Sequence, residues 1–275
     1  MTYLIALDDG HGMETAGKRT PYIKSLGRQI KENEFNRAVI KFLDENLKRC
    51  GFRTLLVAPT DADTPLTTRV ALANKAKADF YLSIHYDALD AKFDGPGKDP
   101  EGFTVFVYLN NVNKSSGQFA KLAVKHLSAG TKQQNRGVKE ANFQVLRETN
   151  MPAALVECGF MDNEREALLM INESFQREVA LELAKALCEH FGIKFIDAEN
   201  TVKKGDEDMD FYSPTMREKF EMRTASPATK KLLIEKAVVE LGYQKSWIVN
   251  HEKGLLKDGD YAAIAYELAI HLLKK

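Results

Sequence analysis

Two hydrophobic periods alternate along the first 195 residues. Residues 2–7 (TYLIAL) form a β-rich apolar run. After a polar loop, FNRAVIKFLDENLKRCGF repeats apolar residues at helical spacing, which puts Phe35, Val39, Phe42, Leu43 and Leu47 on one face before Gly51 stops the helix. Residues 53–57 read as a second strand, 65–76 as a helix opening on Pro65, and 80–84 as a third strand. Glycines and prolines in DALDAKFDGPGKDPEG mark a loop, followed by the alternating strand FTVFVYL and a helix over residues 116–127. Short strands are expected at 143–146 and 153–156, and a long amphipathic helix at 173–191. This rhythm predicts an α/β fold, a mostly parallel twisted sheet with helices on both faces.

The pattern changes near residue 196. Residues 196–210 are charged and polar without apolar periodicity, as an exposed linker would be. In residues 211–275, Ser-Pro twice precedes a helical pattern, in SPTMREKF and SPATKKLLIEKAVVELGY, and DYAAIAYELAIHLLKK ends the chain. This predicts a small all-helical module. Its apolar faces are broad enough to suggest either ligand binding or self-association.

Composition narrows the partners. Of 275 residues, 44% are hydrophobic and 28% charged, the balance of an ordinary soluble globular protein. Lys+Arg and Asp+Glu both total 39, so net charge gives no reason to expect a nucleic-acid partner. Cys50, Cys158 and Cys188 are odd in number and sit in apolar patterns, which argues against a disulfide framework and for synthesis in a reducing cytoplasm. Cys158 reads as a small buried hydrophobe ahead of a nucleophile. The N-terminus, MTYLIALDDGHG, lacks the basic and long apolar regions of a signal peptide, and no stretch approaches the roughly 18 apolar residues of a membrane span.

The candidate chemistry stands behind the strands. His11 follows the first apolar run, His85 closes FYLSIH, and Glu157 closes AALVE. Residues just past the carboxyl ends of parallel strands converge on one crevice, so these three can share a site. Two imidazoles plus carboxylates are zinc chemistry, and a hydrolytic zinc takes three protein ligands and keeps one position open. The loop RQIKENEFN offers Glu32 or Glu34 as the third ligand, although first-turn glutamates also stabilise a helix N-terminus without any metal. Glu157 sits in an apolar setting that raises a carboxyl pKa toward neutrality, which suits a proton shuttle; a buried salt bridge is its structural alternative. The glycines around His11 would let backbone pass close to an ion.

Four stretches, DDGHG, ENEFN, YLSIHYD and RGVKEANFQVLRETNMPAALVECGFMDNEREALL, together resemble the zinc-dependent N-acetylmuramoyl-L-alanine amidases of the Amidase_3 type, found in autolysins, spore-lytic enzymes and phage endolysins. The resemblance runs from about Tyr3 to Phe191. It implies a zinc amidase domain at 1–195 with one Zn2+ held by His11, Glu32 and His85, and Glu157 as the catalytic acid/base. It selects Glu32 over Glu34, because the family's glutamate ligand stands four residues before an asparagine, here Asn36. Asn142 in KEANF becomes a candidate for holding the stem peptide, with a plain turn role as its alternative. Asp9 stands where proline is usual, and Tyr86-Asp87 where small residues and asparagine are common. By analogy, 211–275 is expected to bind the cell wall. The implied substrate is peptidoglycan, cut between muramic acid and L-alanine by an enzyme made in the cytoplasm that reaches the wall after holin-assisted release or cell lysis. The rival readings are another zinc peptidase or carboxypeptidase acting on wall peptides, and a catalytically silent wall-binding protein.

Overall fold

In the computed structural model, which describes residues 2–95 and 97–197 together with Lys231, the two hydrophobic periods resolve into alternating strands and helices. These are β1 (Leu4–Asp8), α1 (Glu32–Arg49), β2 (Arg53–Leu56), α2 (Leu66–Ala76), β3 (Phe80–Asp87), β4 (Phe103–Val107), α3 (Ser115–Gly130), β5 (Asn135–Glu140), α4 (Gln144–Arg147), β6 (Ala153–Phe160), α5 (Glu164–Leu169) and α6 (Glu173–Phe191). The helical module expected at 211–275, apart from Lys231, lies outside the described residues, as does most of the linker.

The strands form one sheet in the order β2-β1-β3-β6-β4-β5. The first four are mutually parallel, β4 runs antiparallel to β6, and β5 is parallel to β4. The sheet is therefore mostly parallel, as the pattern predicts.

Strand alternation divides the core in two. Ile5 and Leu7 of β1, Phe80, Leu82, Ile84 and Tyr86 of β3, and Ala154, Val156 and Cys158 of β6 pack into the larger cluster with α1, α3 and α6. Leu4 and Ala6, Tyr81, Ala153 and Leu155 face the opposite side, against Val70 and Ala73 of α2 and Val145 and Leu146 of α4. Each buried Phe or Leu contributes about 1.5–3 kcal/mol. On the α2 side, the carboxyl halves of the strands carry polar residues in place of hydrophobes: Asp8, Ser83, His85 and Glu157. That row includes the candidate site residues His85 and Glu157.

The local expectations need four corrections. Both β3 and β6 run past the expected ends at Ile84 and Val156, so His85 and Glu157 lie within strands and not behind them. Residues 143–146 are not a strand: Gln144–Arg147 make the one-turn helix α4, which buries Val145 and Leu146. Periodicity cannot separate such a short apolar run from a buried helical turn. The edge strand β5, NRGVKE, carries no apolar alternation and was not expected. Pro65 caps α2 from outside and is not its first helical residue.

Candidate metal centre

His11 leaves β1 through a turn that two left-handed residues make possible, Gly10 at φ +45° and His11 itself at φ +56°. A non-glycine residue held there costs about 1–3 kcal/mol, so surrounding bonds must enforce it. They do. Asn33 Nδ2 donates to the carbonyls of Asp9 and Gly10, each at 2.8 Å, and Arg69 Nη2 donates to the His11 carbonyl at 3.0 Å. Gly10 has a reason other than approach to an ion. A Cβ on it would stand 2.6 Å from His85 Cε1 and 2.7 Å from the Ile84 carbonyl oxygen. The turn can lie against His85 only because that Cβ is missing.

The first turn of α1 supplies the carboxylate. Glu34 takes the helix-end role, accepting from the Lys31 backbone N–H at 2.8 Å and pairing with Arg28 at 2.8 and 3.0 Å. Glu32 instead is fully buried and turned toward the histidines. Its Oε1 stands 3.0 Å from His85 Nδ1 and accepts from the Tyr86 N–H at 3.1 Å and from Asn36 Nδ2 at 3.3 Å. Its Oε2 has no hydrogen-bond partner, with His11 Nε2 at 3.5 Å and Lys18 Nζ at 3.9 Å. The ligating atoms of His11, Glu32 and His85 all lie within 4.8 Å of one another, so the three could grip one metal ion.

Their electrostatics suit that role. Burial pushes the His11 imidazole down to about 4 despite the neighbouring Glu32, so it is neutral at neutral pH. Burial works against ionised Glu32, but the His85 hydrogen bond and the neighbouring His85, His11 and Lys18 outweigh it and hold the carboxyl at about 2. A neutral imidazole and an ionised carboxylate are the forms that bind metal. Burial likewise opposes a charge on His85, yet its bond to Glu32 raises its pKa. The orphaned Glu32 Oε2 is a buried acceptor with no donor, and a cation would satisfy it.

Glu157 completes the group. It pairs in register with His85 across β3 and β6, on the same sheet face, and its Oε2 is buried without a hydrogen-bond partner. Burial, reinforced by Glu32 and Asp87, pushes its carboxyl up to about 8 in spite of His85. A cleft of about 240 Å³ opens over these residues, lined by His11, His85 and Glu157 with Lys18, Leu66 and Phe143 among its walls. The salt-bridge alternative for Glu157 would need a partner on that buried oxygen, and Oε2 has none among the described residues.

The other singled-out residues fall outside this group. Asn142 is exposed and its Oδ1 accepts from Arg147 at 2.7 Å; the adjacent Phe143 and Gln144 line the cleft in its place. Cys158 points to the opposite sheet face, buried in the larger core, and burial pushes its thiol well up. It is inert packing. Tyr86 also faces that core, donating to the Glu166 carbonyl at 2.8 Å, while Asp9 pairs with Arg37 at 3.3 Å and keeps Oδ1 unpartnered. Sequence reasoning missed Arg69 and Asp8, a pair at 2.6 Å with both side chains about 1% exposed. An arginine on the apolar face of α2 and an aspartate ending an apolar strand were the available signals.

Known proteins share this arrangement of chain. A family profile described as N-acetylmuramoyl-L-alanine amidase matches residues 5–189. The endolysin of Bacillus phage SPP1 is 31% identical over 212 residues, covering 75% of this chain and 73% of the phage protein. The N-acetylmuramoyl-L-alanine amidase LytC of Bacillus subtilis is 30% identical over 163 residues, 59% of this chain and 30% of LytC. Among solved structures, the amidase from Clostridium difficile 630 superposes with a TM-score of 0.60 at 28% identity, covering 70% of this chain and 97% of that one. The catalytic domain of CwlV from Paenibacillus polymyxa gives 0.61 at 27% identity, over 70% and 100%.

Proposed function

This chain belongs to the N-acetylmuramoyl-L-alanine amidase family, and from that premise we propose which of its residues perform the reaction. The enzyme hydrolyses peptidoglycan at the amide joining the lactyl group of N-acetylmuramic acid to L-alanine. His11, Glu32 and His85 are the ligands of one zinc ion. Bound there, zinc would supply Lewis acidity, polarising the scissile carbonyl and lowering the pKa of a water.

Glu157 is the acid/base. Its buried carboxylate takes the proton of the attacking water and returns it to the departing nitrogen of L-alanine as the tetrahedral centre collapses. A raised pKa suits both halves of that task, because the group must accept a proton and then give it up near neutral pH. The apolar cleft walls Leu66, Phe143, Val145 and Leu155 limit water around the reacting amide. Asn142 does not line the cleft itself; exposed, and next in the chain to the wall residue Phe143, it holds the stem peptide outside the cleft. The products are a peptide-free glycan and a stem peptide with a new alanine amino terminus.

One observation carries this reading: two imidazoles and a buried, half-satisfied carboxylate converge within 4.8 Å, on the sheet face that holds the uncapped Glu157. Residues 1–195 form the catalytic domain; residues 211–275 follow a linker at 196–210 and tether the enzyme to the wall, which it reaches after release from the cytoplasm. Digesting a defined peptidoglycan and identifying the new amino termini tests the bond. Alanine termini are expected, whereas release of a C-terminal amino acid would mark a carboxypeptidase. Glu157→Gln should slow the reaction about 10²–10⁴-fold while zinc content stays unchanged. Wild-type turnover in that variant would remove Glu157 from the mechanism.

A further inference from the structure

A column of buried polar groups runs away from the metal centre on its far side. His85 Nε2 lies 3.1 Å from Ser83 Oγ, and Ser83 Oγ donates to Asp8 Oδ2 at 2.8 Å. Tyr81 Oη donates to the same Oδ2, also at 2.8 Å. Asp8 Oδ1 accepts from Arg69 Nη1 at 2.6 Å and from the Gly10 N–H at 3.2 Å. Arg69 in turn donates from Nη2 to the His11 carbonyl at 3.0 Å and from Nε to the Thr64 carbonyl at 2.7 Å. Asp8, Arg69, Tyr81 and Ser83 are all essentially inaccessible to solvent.

The direction of every bond in this column follows from its ends. Arg69 can only donate, so Asp8 receives there as a carboxylate and has no proton to give to Ser83. Ser83 must therefore spend its single proton on Asp8. Only a lone pair of Ser83 Oγ is left to face His85, so Nε2 must carry the hydrogen. That reserves Nδ1, the nitrogen 3.0 Å from Glu32, for the metal: without a cation it donates its own hydrogen to Glu32 Oε1, and a cation bound between the two would take that hydrogen's place.

We propose that Ser83 is a positioning residue: oriented by the buried Asp8–Arg69 pair, it commits His85 to the Nε2–H tautomer and so presents Nδ1 to the metal. The inference rests on His85 being a zinc ligand. It adds that the ligand's tautomer is set from behind by three residues that never touch the metal. Because Arg69 also holds the His11 carbonyl, one guanidinium braces both imidazoles. Outer partners of this kind typically change metal affinity about 10- to 100-fold when removed.

The test uses full-length protein with 15N-labelled histidine, comparing wild type, Ser83→Ala, Ser83→Thr and Asp8→Asn. Ring-nitrogen shifts report the His85 tautomer, and competition against a chelator reports the zinc dissociation constant. Zinc-loaded wild type should show a single ring form, with the hydrogen on Nε2 and Nδ1 on the metal. In Ser83→Ala the zinc-loaded ring should lose its single form, part of it binding through Nε2 with the hydrogen on Nδ1, and zinc binding should weaken about 10- to 100-fold, while Ser83→Thr, which keeps the hydroxyl, restores both. Asp8→Asn makes the sharper forecast. Its amide would donate to Ser83, free the serine proton for Nε2, and drive His85 toward Nδ1–H with a further loss of affinity. If Ser83→Ala weakens zinc with the tautomer unchanged, Ser83 is only packing and the proposal is overturned. Unchanged affinity in Ser83→Ala overturns it equally and leaves the ligand set standing. Wild-type protein that binds no zinc removes the ligand assignment itself, and this inference with it.

Discussion

At the scale of single residues, the environment of Glu157 makes a prediction that is independent of turnover. Its carboxyl is raised by burial to about 8, above the ordinary value of 4.5 that it regains on unfolding. Between those values the folded protein holds a proton that the unfolded chain has released, so stability falls as pH rises from about 4.5 to about 8. Glu157→Gln removes the ionisable group and hence that fall. In metal-free protein, the variant should match wild type below about pH 4.5 and exceed it by an amount on the order of a few kcal/mol above pH 8. Denaturant midpoints collected across that range decide it. Equal pH profiles for the two proteins would mean that Glu157 is not buried as described. Glu32 shows why neighbours matter as much as burial. It is more deeply buried than Glu157, yet its hydrogen bond with His85 keeps it ionised at about 2. Two glutamates on one crevice are thus set to opposite protonation states, as the proposed tasks of ligand and proton carrier require.

At the scale of elements, glycines mark where strands and turns touch. A Cβ on Gly159 would stand 2.4 Å from Tyr86 Cζ and Oη, and Tyr86 is buried with its hydroxyl bound to the Glu166 carbonyl. The ring has nowhere to retreat. Gly159→Ala should cost about 1–3 kcal/mol of unfolding free energy, measurable as a lowered denaturant midpoint at unchanged slope. A midpoint equal to wild type would contradict the packing of β3 on β6. The same pair of strands shows what the sequence made legible and what it hid. Reading FYLSIH as a strand ending at Ile84 treats Ser83 and His85 as its terminus, whereas they are its second face. Phe80, Leu82, Ile84 and Tyr86 continue the alternation through Asp87. Polar residues at alternate positions look like a strand end when the functional face is itself polar. The edge strand β5 escaped for a related reason: half-exposed NRGVKE has no core face to announce it. By contrast α6 was legible to the residue, because Asn172 caps it, Gly192 ends it, and its apolar stripe faces α1 and α3.

At the scale of the whole molecule, three dispersed residues, His11, His85 and Glu157, could be tied together in advance because a parallel sheet gathers its strand ends on one side, and the family resemblance added Glu32. His11, Glu32 and His85 do converge, and Glu157 joins them through strand register. The buried Asp8–Arg69 pair could not be foreseen in that way, since nothing in one sequence says which helix crosses behind which strand. The wall-binding role proposed for residues 211–275 gives a further prediction. Deleting residues 203–275 should leave cleavage of soluble muramoyl peptides within about twofold of the full-length rate, while clearance of intact walls drops by about 10²-fold or more as tethering is lost. Equal clearance by the two proteins would contradict a wall-binding role for 211–275.

The central claim is that this enzyme cuts the muramoyl–L-alanine bond with one zinc ion held by His11, Glu32 and His85. The most direct measurement is recovery of alanine amino termini from a defined peptidoglycan as zinc is titrated into chelated, full-length enzyme. Release should be negligible without metal and recover fully at one equivalent of zinc per chain. Undiminished release from enzyme shown to be free of metal would contradict that claim.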